Sequence, residues 1–283
     1  MPELPEVDTV RRTLAQLIKG ETISHVYIGW PKMIKKPDDA QAFIHQVSGQ
    51  TIQGIRRRGK FLLIDLDDDV LVSHLRMEGK YAVHLAEEDI DLHVHVRFLF
   101  ESGKELRYKD VRKFGTMHLF PKGEECHHAP LNKLGPEPFD PEFTEEYLLH
   151  ALNKTTRAVK NVLLDQSVVA GLGNIYADET LFRAGVHPVK PGCDMTAAEA
   201  AAVHQSTRNT LQLALDMGGT SIRSYLNGAG EMGYFQQFLH VYGRVNESCR
   251  DCGAMIERMV IGGRGTHTCP TCQPVPAKGG YTR

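Results

Sequence analysis

Residues 60–75 read KFLLIDLDDDVLVSHL, two short apolar runs on either side of three consecutive aspartates. Runs of this length that are bounded by turn-forming residues predict β-strands. A third run, residues 93–98 (HVHVRF), alternates polar and apolar side chains, and the serine–glycine pair at 102–103 marks another turn. Several short strands in succession predict a β-sandwich or barrel for the first half of the chain.

A helix is predicted ahead of these strands. In residues 5–19, apolar side chains recur at helical spacing, Pro5 suits a first helical turn, and Gly20 suits the stop. Pro2 therefore lies just before the positive end of a helix dipole. We expect that position to lower the pKa of an amine placed there.

Proline and glycine concentrate in residues 134–141 (LGPEPFDP), which makes this stretch the best domain boundary in the chain. The pattern beyond it is helical, and a glycine-bearing turn at 170–174 (AGLGN) predicts a helix-turn-helix-like unit. Residues 218–233 are glycine-rich and predict a loop. The predicted helical segments are 142–153, 156–165, 175–184 and 196–216.

Composition limits the possible functions. The 283 residues carry 33 Lys and Arg against 35 Asp and Glu, a formal net charge of −2, so a globally basic nucleic-acid surface is excluded. Local basic clusters do occur, at residues 56–60, 104–113 and 154–160. No apolar run approaches the roughly 18 residues of a membrane span, and the N-terminus has no hydrophobic signal core. These features predict a cytosolic protein.

Four cysteines near the C-terminus form the pattern C-x2-C-x16-C-x2-C. Four thiolates at this spacing can complete a tetrahedral Zn²⁺ shell with no open position for substrate, so one structural zinc is predicted. A disulfide framework is the alternative. The predicted ligands are Cys249, Cys252, Cys269 and Cys272.

A structural zinc leaves the chemistry to other residues, and the N-terminus offers a nucleophile. Removal of Met1, which a small second residue favours, would leave Pro2 with a free secondary amine and Glu3 beside it as a proton carrier. A terminal amine has a reference pKa of about 7.7–8.0, so far more of it is unprotonated at neutral pH than of a lysine. Its attack on a sugar C1′ would give an iminium that promotes elimination of the 3′ phosphate.

Six separated motifs, taken together, resemble the bacterial formamidopyrimidine-DNA glycosylase family, and the resemblance spans residues 1 to about 273. The motifs are 2–7 (PELPEV), 58–62 (RGKFL), 74–79 (HLRMEG), 110–115 (DVRKFG), 171–176 (GLGNIY) and the four cysteines.

The resemblance implies an α+β fold and a bifunctional DNA glycosylase and abasic-site lyase. The substrates would be 8-oxoguanine and formamidopyrimidines in duplex DNA, and the strand would be cut by β,δ-elimination. The implied protein is a monomer of the bacterial cytoplasm, associated with the nucleoid through DNA. Its implied parts are a leading helix with a β-sandwich (1–133), a helical domain with a helix-two-turn-helix and a lesion-capping loop (134–240), a zinc-bound β-hairpin (241–273) and a flexible tail (274–283).

The resemblance also implies catalytic roles. Pro2 would displace the damaged purine and form the Schiff base, with Glu3 as general acid or base and Glu6 as support. Lys60 matches the lysine assigned to phosphate contact and β-elimination. Arg264 matches the zinc-finger arginine assigned to δ-elimination, and both cations suit a phosphate leaving group.

Further positions match residues that contact DNA. An everted nucleotide leaves a hole in the duplex, and Met77, Arg112 and Phe114 match the residues that fill it. Asn174 lies at a predicted helix start that would favour a phosphate. The other matching positions, which are weaker, are His74, His93 and Lys160. Residues 221–225 match the region that closes over 8-oxoguanine, although lesion preference does not follow firmly from them.

Two other interpretations stay open at this point. An endonuclease VIII-like enzyme would prefer oxidised pyrimidines, and a non-catalytic zinc protein would merely bind distorted DNA. Three features argue against the first: Leu4, the glycine-rich stretch from Gly218, and the set Met77, Arg112 and Phe114. Formation of a covalent product would exclude the second.

Overall fold

A computed structural model describes residues 1–220 and 234–276. The helices are α1 (Leu4–Ile18), α2 (Ala40–Val47), α3 (Glu145–Asn153), α4 (Val159–Leu163), α5 (Asn174–Arg183) and α6 (Ala197–Asp216). The strands are β1 (Ile23–Ile28), β2 (Ile34–Lys36), β3 (Gly54–Arg58), β4 (Phe61–Asp65), β5 (Asp69–His74), β6 (Lys80–Leu85), β7 (Val94–Phe100), β8 (Lys104–Lys109), β9 (Thr116–Pro121), β10 (Glu257–Ile261) and β11 (Arg264–Thr268).

The chain divides into two compact units. The first unit comprises Met1–Asn132 and Met217–Tyr234, and the second comprises Lys133–Asp216 and Phe235–Arg283. Both units combine helices with strands, which confirms the predicted α+β class. None of the helices in the described part of the chain has the length and apolar character needed to cross a bilayer.

Two sheets form the first unit. One has the strand order β2-β9-β5-β4-β3 and the other β1-β7-β8-β6. The neighbours are antiparallel except for β2 and β9, which run parallel. The quoted stretch 60–75 supplies β4 and β5, which pair with Phe61 opposite His74. Apolar side chains of both sheets, α1 and α2 share one buried core, so the predicted sandwich is confirmed.

The leading helix begins at Leu4 and buries its apolar stripe in this core. Glu3 is its N-cap, and its side chain accepts the backbone N–H of Glu6 while the Glu6 carboxylate accepts the backbone N–H of Glu3. This reciprocal capping box satisfies two helix-start donors. It also fixes the direction in which the chain passes from Pro2 into the helix.

The second unit contains α3 to α6 and the β10–β11 hairpin. Helix α4 is shorter than predicted from the pattern of 156–165. Ala158 forms an isolated bridge with Pro191, and the backbone N–H of Val159 donates to the carbonyl of Lys190. These contacts hold the chain extended up to residue 158, so the helix starts only at Val159.

Candidate active site and DNA-contacting residues

The N-terminus of the first unit is buried. Pro2 and Glu3 are both buried, and the Glu3 side chain is only 2% exposed. The terminal amine in this structure belongs to Met1, and burial lowers its pKa below the usual value. The carboxylates of Glu3 and Glu6 oppose that effect. An amine in this environment is unprotonated, and therefore nucleophilic, at a lower pH than an exposed one.

Two further charges act on this amine. Lys60 lowers the amine pKa and Glu78 raises it. Lys60 lies in the tight turn between β3 and β4, where Gly59 adopts a φ of +57° and Arg58 pairs with Phe61. Its side chain is 5% exposed. The structure therefore brings the predicted residues Pro2, Glu3 and Lys60 into one buried region.

Glu6 joins the helix start to the chain around residue 220. One of its carboxylate oxygens accepts the Glu3 N–H at 2.9 Å, and the other accepts the Thr220 N–H at 2.8 Å and hydroxyl at 3.0 Å. Gly219, with a φ of +81°, passes so close that an added Cβ would lie 2.8 Å from Glu6 Oε1. The adjoining residues 221–225, matched to lesion capping, lie outside the described residues.

His74 ends strand β5 and is buried. Its Nδ1 accepts the Arg76 N–H at 2.9 Å, and Phe61 packs edge-on against its ring. Burial, followed by the charges of Arg76 and Lys60, lowers the His74 pKa to about 3. The imidazole is therefore neutral at physiological pH and offers an Nε2–H donor without a positive charge.

The three residues predicted to fill the hole in the duplex lie on two loops of the first unit, and all are exposed. Met77 is 37% and Phe114 51% exposed, and the Arg112 guanidinium lies 4.7 Å from the Phe114 ring centre. Arg76 and Lys113, the residues directly before Met77 and Phe114, have φ values of 55° and 58°. Left-handed backbone at non-glycine residues is strained and clusters at functional sites.

His93 lies one residue before β7, in a turn rather than in the strand predicted for it. Its N–H donates to the Asp91 carboxylate at 2.8 Å, and its carbonyl accepts the Asp110 N–H at 3.0 Å. The side chain is half-buried. His93 thus adjoins the loop that carries Arg112.

In the second unit, Arg264 begins β11 and is exposed. It follows a two-residue turn, Gly262 and Gly263, whose φ values are 55° and 74°. Positive φ at both central positions is the geometry of a type I′ hairpin turn. An added Cβ at Gly262 would lie 2.5 Å from Asn161 Oδ1, so the tip of the hairpin packs closely against α4.

Lys160, which matches a DNA-contacting position, is not placed for direct contact with DNA. Its side chain is completely buried, and its ammonium pairs with Asp178 at 2.6 Å and donates to Gly265 O at 3.1 Å and Thr266 Oγ1 at 2.8 Å. Such an ammonium is committed to the protein interior, which leaves no side-chain surface for a phosphate. The sequence could not reveal this burial because its partners lie far along the chain.

Asn174 is the first residue of α5, and Gly173 is the N-cap. Its Nδ2 donates to the carbonyl of Gly265 at 2.9 Å, the same carbonyl that Lys160 contacts. Asn174 Oδ1 is buried and makes no hydrogen bond within the described part of the chain. Both residues therefore hold the backbone immediately after Arg264.

Buried acidic side chains that the sequence analysis missed complete this arrangement. Asp178 also accepts the His267 N–H at 2.9 Å. Glu179 accepts the N–H groups of residues 240–242 at 2.8 to 2.9 Å, and burial raises its pKa. Two consecutive carboxylates between apolar residues of a predicted helix are the signal that could have indicated them. Glu78 in the first unit was also missed. It lies inside the motif 74–79, and its charge raises the pKa of the terminal amine.

The four predicted zinc ligands lie together. Their Sγ atoms are all within 4.8 Å of one another, with 3.4 Å between Cys252 and Cys269 and 3.9 Å between Cys249 and Cys272. A tetrahedron with Zn–S bonds of about 2.3 Å needs S···S separations of about 3.8 Å. The donor set therefore fits one structural zinc.

Family models match three successive segments of the chain. Residues 1–117 match the model of the formamidopyrimidine-DNA glycosylase N-terminal domain, and residues 134–225 match the model of the H2TH domain of that enzyme. Residues 246–275 match a zinc finger found in FPG and IleRS.

Full-length relatives and solved structures show the same similarity. A formamidopyrimidine-DNA glycosylase of Halalkalibacterium halodurans is 58% identical over 96% of this chain and 100% of its own length. One of Shouchella clausii is 58% identical over 98% of this chain and 100% of its own. Lactococcus lactis Fpg, solved with DNA containing an abasic site, is similar with a TM-score of 0.90 at 40% identity, covering 96% of this chain and 100% of that one. The chain therefore belongs to the formamidopyrimidine-DNA glycosylase family, a family of base-excision-repair DNA glycosylases.

Proposed function

We propose that the mature chain begins at Pro2 and uses its secondary amine to remove 8-oxoguanine and formamidopyrimidines from duplex DNA and then to cut the abasic site. The observation that carries this proposal is the burial of the terminal amine, with its lowered pKa, among Glu3, Glu6 and Lys60. Loss of Met1 would place the amine of Pro2 in this region. Complexes of Lactococcus lactis Fpg with abasic and Fapy-dG DNA support the choice of substrate.

The first step replaces the damaged base by the enzyme. The nitrogen lone pair of Pro2 forms a bond to C1′, and the electron pair of the glycosidic bond leaves with the purine, which takes up a proton. The Pro2 nitrogen then gives up its proton, its lone pair forms the double bond to C1′, and the C1′–O4′ bond breaks. The electron pair of that bond passes to O4′, and Glu3 supplies the proton to that oxygen. A cationic Schiff base between Pro2 and C1′ results.

Elimination follows from that cation. Loss of a proton from C2′ sends its electron pair into a C2′–C3′ double bond, and the 3′ phosphate leaves. In a second elimination, a proton is lost from C4′, its electron pair enters the conjugated system, and the bond from C5′ to the 5′ phosphate breaks with its electron pair leaving on the phosphate. Lys60 and Arg264 would each stabilise a departing phosphate through charge-assisted hydrogen bonds.

The proposed contacts with DNA fall on exposed residues of the first unit. Met77, Arg112 and Phe114 would occupy the hole left by the everted nucleotide, with the apolar side chains in the stack and the guanidinium on the unpaired base. His74, which is neutral, would lie near the same surface, as would His93. Lys160 and Asn174 would act on DNA indirectly, because they hold the backbone beside Arg264.

The predicted organisation is part of the same proposal. We retain a catalytic domain over 1–133, a helical domain over 134–240, a zinc finger over 241–273 and a tail over 274–283. The protein would act as a monomer on one lesion at a time. It would reside in the bacterial cytoplasm and associate with the nucleoid through DNA.

Borohydride trapping on abasic duplex DNA tests the proposal. The wild-type chain should form a covalent complex, whereas Pro2→Gly should form little and Glu3→Gln should be slowed strongly. Glu87→Gln is the matched control, because it neutralises an exposed carboxylate of the first unit. If wild-type protein forms no trapped complex, or if an intact mass shows that fully active protein retains Met1, the proposal is wrong.

Lesion choice needs a separate experiment. Single-turnover excision rates on duplexes with 8-oxoguanine should exceed those on duplexes with thymine glycol. The opposite order would favour the endonuclease VIII-like alternative while leaving the Pro2 chemistry intact.

A further inference from the structure

Two glycines next to the exposed loops share one neighbour, the buried side chain of Tyr108. A Cβ added at Gly79 would overlap the Tyr108 hydroxyl and lie 2.8 Å from its Cζ. A Cβ added at Gly115 would overlap the same hydroxyl and lie 2.7 Å from the same Cζ. The tyrosine thus fills the space that both glycines leave open.

Each glycine closes one of the loops proposed to enter DNA. Gly79 donates its N–H to the carbonyl of Leu75 at 3.0 Å and so closes the loop that carries Met77. Gly115 donates its N–H to the Asp110 carboxylate at 2.8 Å and closes the loop that carries Arg112 and Phe114. The two loops are far apart in sequence but meet at one side chain.

Tyr108 itself is rigidly held. It lies on β8, is completely buried, and pairs across the sheet with Tyr81 on β6. Their ring centres are 4.9 Å apart in an edge-on arrangement, and the Tyr81 hydroxyl donates to Ser73 at 2.8 Å. Because this side chain is close-packed, neither loop can move closer to it without moving the ring. The position of the ring therefore sets the positions of both loops.

We propose that Tyr108 is a positioning residue whose side chain, held between Gly79 and Gly115, sets both loops together so that Met77, Arg112 and Phe114 enter the duplex as one unit. This inference rests on the proposed roles of those three residues. Tyr108 touches no DNA in this scheme and acts only through the two glycines. Its loss should therefore affect eversion and leave the chemistry on an already exposed sugar unchanged.

Tyr108→Phe is the conservative test, because it removes the hydroxyl and keeps the ring. The full-length protein would be mixed with a duplex that carries a tetrahydrofuran abasic analogue opposite 2-aminopurine, and the fluorescence change would report insertion of the loops. We expect insertion and 8-oxoguanine excision to slow by about tenfold or more, since misplacement by a fraction of an ångström is costly in positioned sites. Lyase activity on a single-stranded abasic oligonucleotide should stay within about twofold of the wild type.

Tyr81→Phe is the matched control. It removes a buried tyrosine hydroxyl from the same core, and that hydroxyl donates to Ser73 rather than contacting either glycine. It should lower the unfolding temperature without slowing insertion. Equal slowing in both variants would show a general packing defect and overturn the proposal.

Gly115→Ala tests the contact from the other side, since all three of the nearest atoms to its added Cβ belong to Tyr108. We expect slow insertion, with partial recovery when Tyr108→Phe is added, because the hydroxyl overlap is relieved and the Cζ contact remains. In a double-mutant cycle with Met77→Ala, the effects should be non-additive although the two residues lie on different loops. Simple additivity would contradict a shared positioning residue.

The failures of the two proposals are distinguishable. If Met77→Ala and Phe114→Ala slow insertion while Tyr108→Phe behaves like the wild type, only the positioning role is wrong. If Met77→Ala and Phe114→Ala also behave like the wild type, the proposed role of the loops is wrong and the positioning role falls with it.

Discussion

Two hairpins carry the two cations of the proposed elimination steps, and they are stabilised in different ways. The β3–β4 hairpin belongs to a five-stranded sheet and presents Lys60 almost completely buried. The β10–β11 hairpin forms a sheet of only two strands and presents Arg264 exposed. Both turns depend on glycines with positive φ, yet the surroundings of the two cations have little in common.

The difference shows what each hairpin needs. Apolar side chains of β3 and β4, such as Ile55, Leu62 and Ile64, enter the large core of the first unit. A two-stranded ribbon is marginal by itself in water, so the second hairpin needs other support. That support is the four-cysteine site together with the polar contacts of Lys160, Asn174 and Asp178.

Removal of zinc should have the largest effect, and it should affect the β10–β11 hairpin but not the β3–β4 hairpin. Cys252→Ser should release metal and melt the β10–β11 hairpin, because metal binding supplies about 10 kcal/mol or more of folding free energy in small zinc modules. The second elimination should then fail, while the β3–β4 hairpin stays folded. Metal content and the ratio of β- to δ-elimination products would measure the two effects.

Cys193→Ser, at an exposed cysteine outside the four-cysteine site, is the control and should change neither quantity. Normal δ-elimination by metal-free protein would show that the polar contacts alone suffice to hold Arg264.

Asp178→Asn should have the next largest effect, because it leaves the Lys160 ammonium buried beside a neutral group. Breaking a buried ion pair on one side typically costs about 3–5 kcal/mol of stability. Denaturant unfolding of the second unit would measure the loss. Asp165→Asn, which weakens the exposed pair with Arg157 at 3.2 Å, should cost about 1 kcal/mol or less. Equal losses in the two variants would contradict the importance assigned to the buried pair.

The smallest expected effect concerns His74, which ends β5 and packs edge-on against Phe61 at the start of β4. Its folded pKa of about 3 lies below the ordinary histidine pKa of 6.5, so protonation favours the unfolded state. Its contribution to stability is complete above pH 6.5 and is lost as the pH falls from 6.5 toward 3. We expect a loss of about 1 kcal/mol over the first pH unit below 6.5.

Comparison of the wild type with His74→Gln would isolate this contribution, because glutamine keeps a hydrogen-bonding side chain but does not titrate. The variant should be less stable at neutral pH and show a shallower decline on acidification. If the stability of the two proteins falls equally as the pH is lowered, His74 does not cause the loss of stability.

Local patterns predicted the elements well. The stretch 60–75 predicted β4 and β5 because short apolar runs and turn residues act over a few positions. The cysteine spacing predicted the metal site for the same reason, since the ligands come in pairs that are close in sequence. Helix α1 followed from its apolar spacing and its early proline.

The parts that sequence could not give depend on distant partners. Lys160 was matched to a DNA-contacting position because nothing near it in sequence shows that its ammonium is buried against Asp178 and Thr266. No role could be assigned to Tyr108 from the sequence, since the close approach of Gly79 and Gly115 exists only in three dimensions. Burial of charge and close backbone approach are properties of the folded core rather than of a local pattern.

The carboxylate of Glu6 links the amino terminus to a residue far along the chain. It binds Glu3 and Thr220, which stand 217 positions apart in the chain, through hydrogen bonds of 2.8 to 3.0 Å. A substitution at position 220 is therefore, in effect, a substitution beside the first residues of the polypeptide. A substitution or truncation near Thr220 would therefore alter the surroundings of the proposed nucleophile without changing the N-terminal sequence itself.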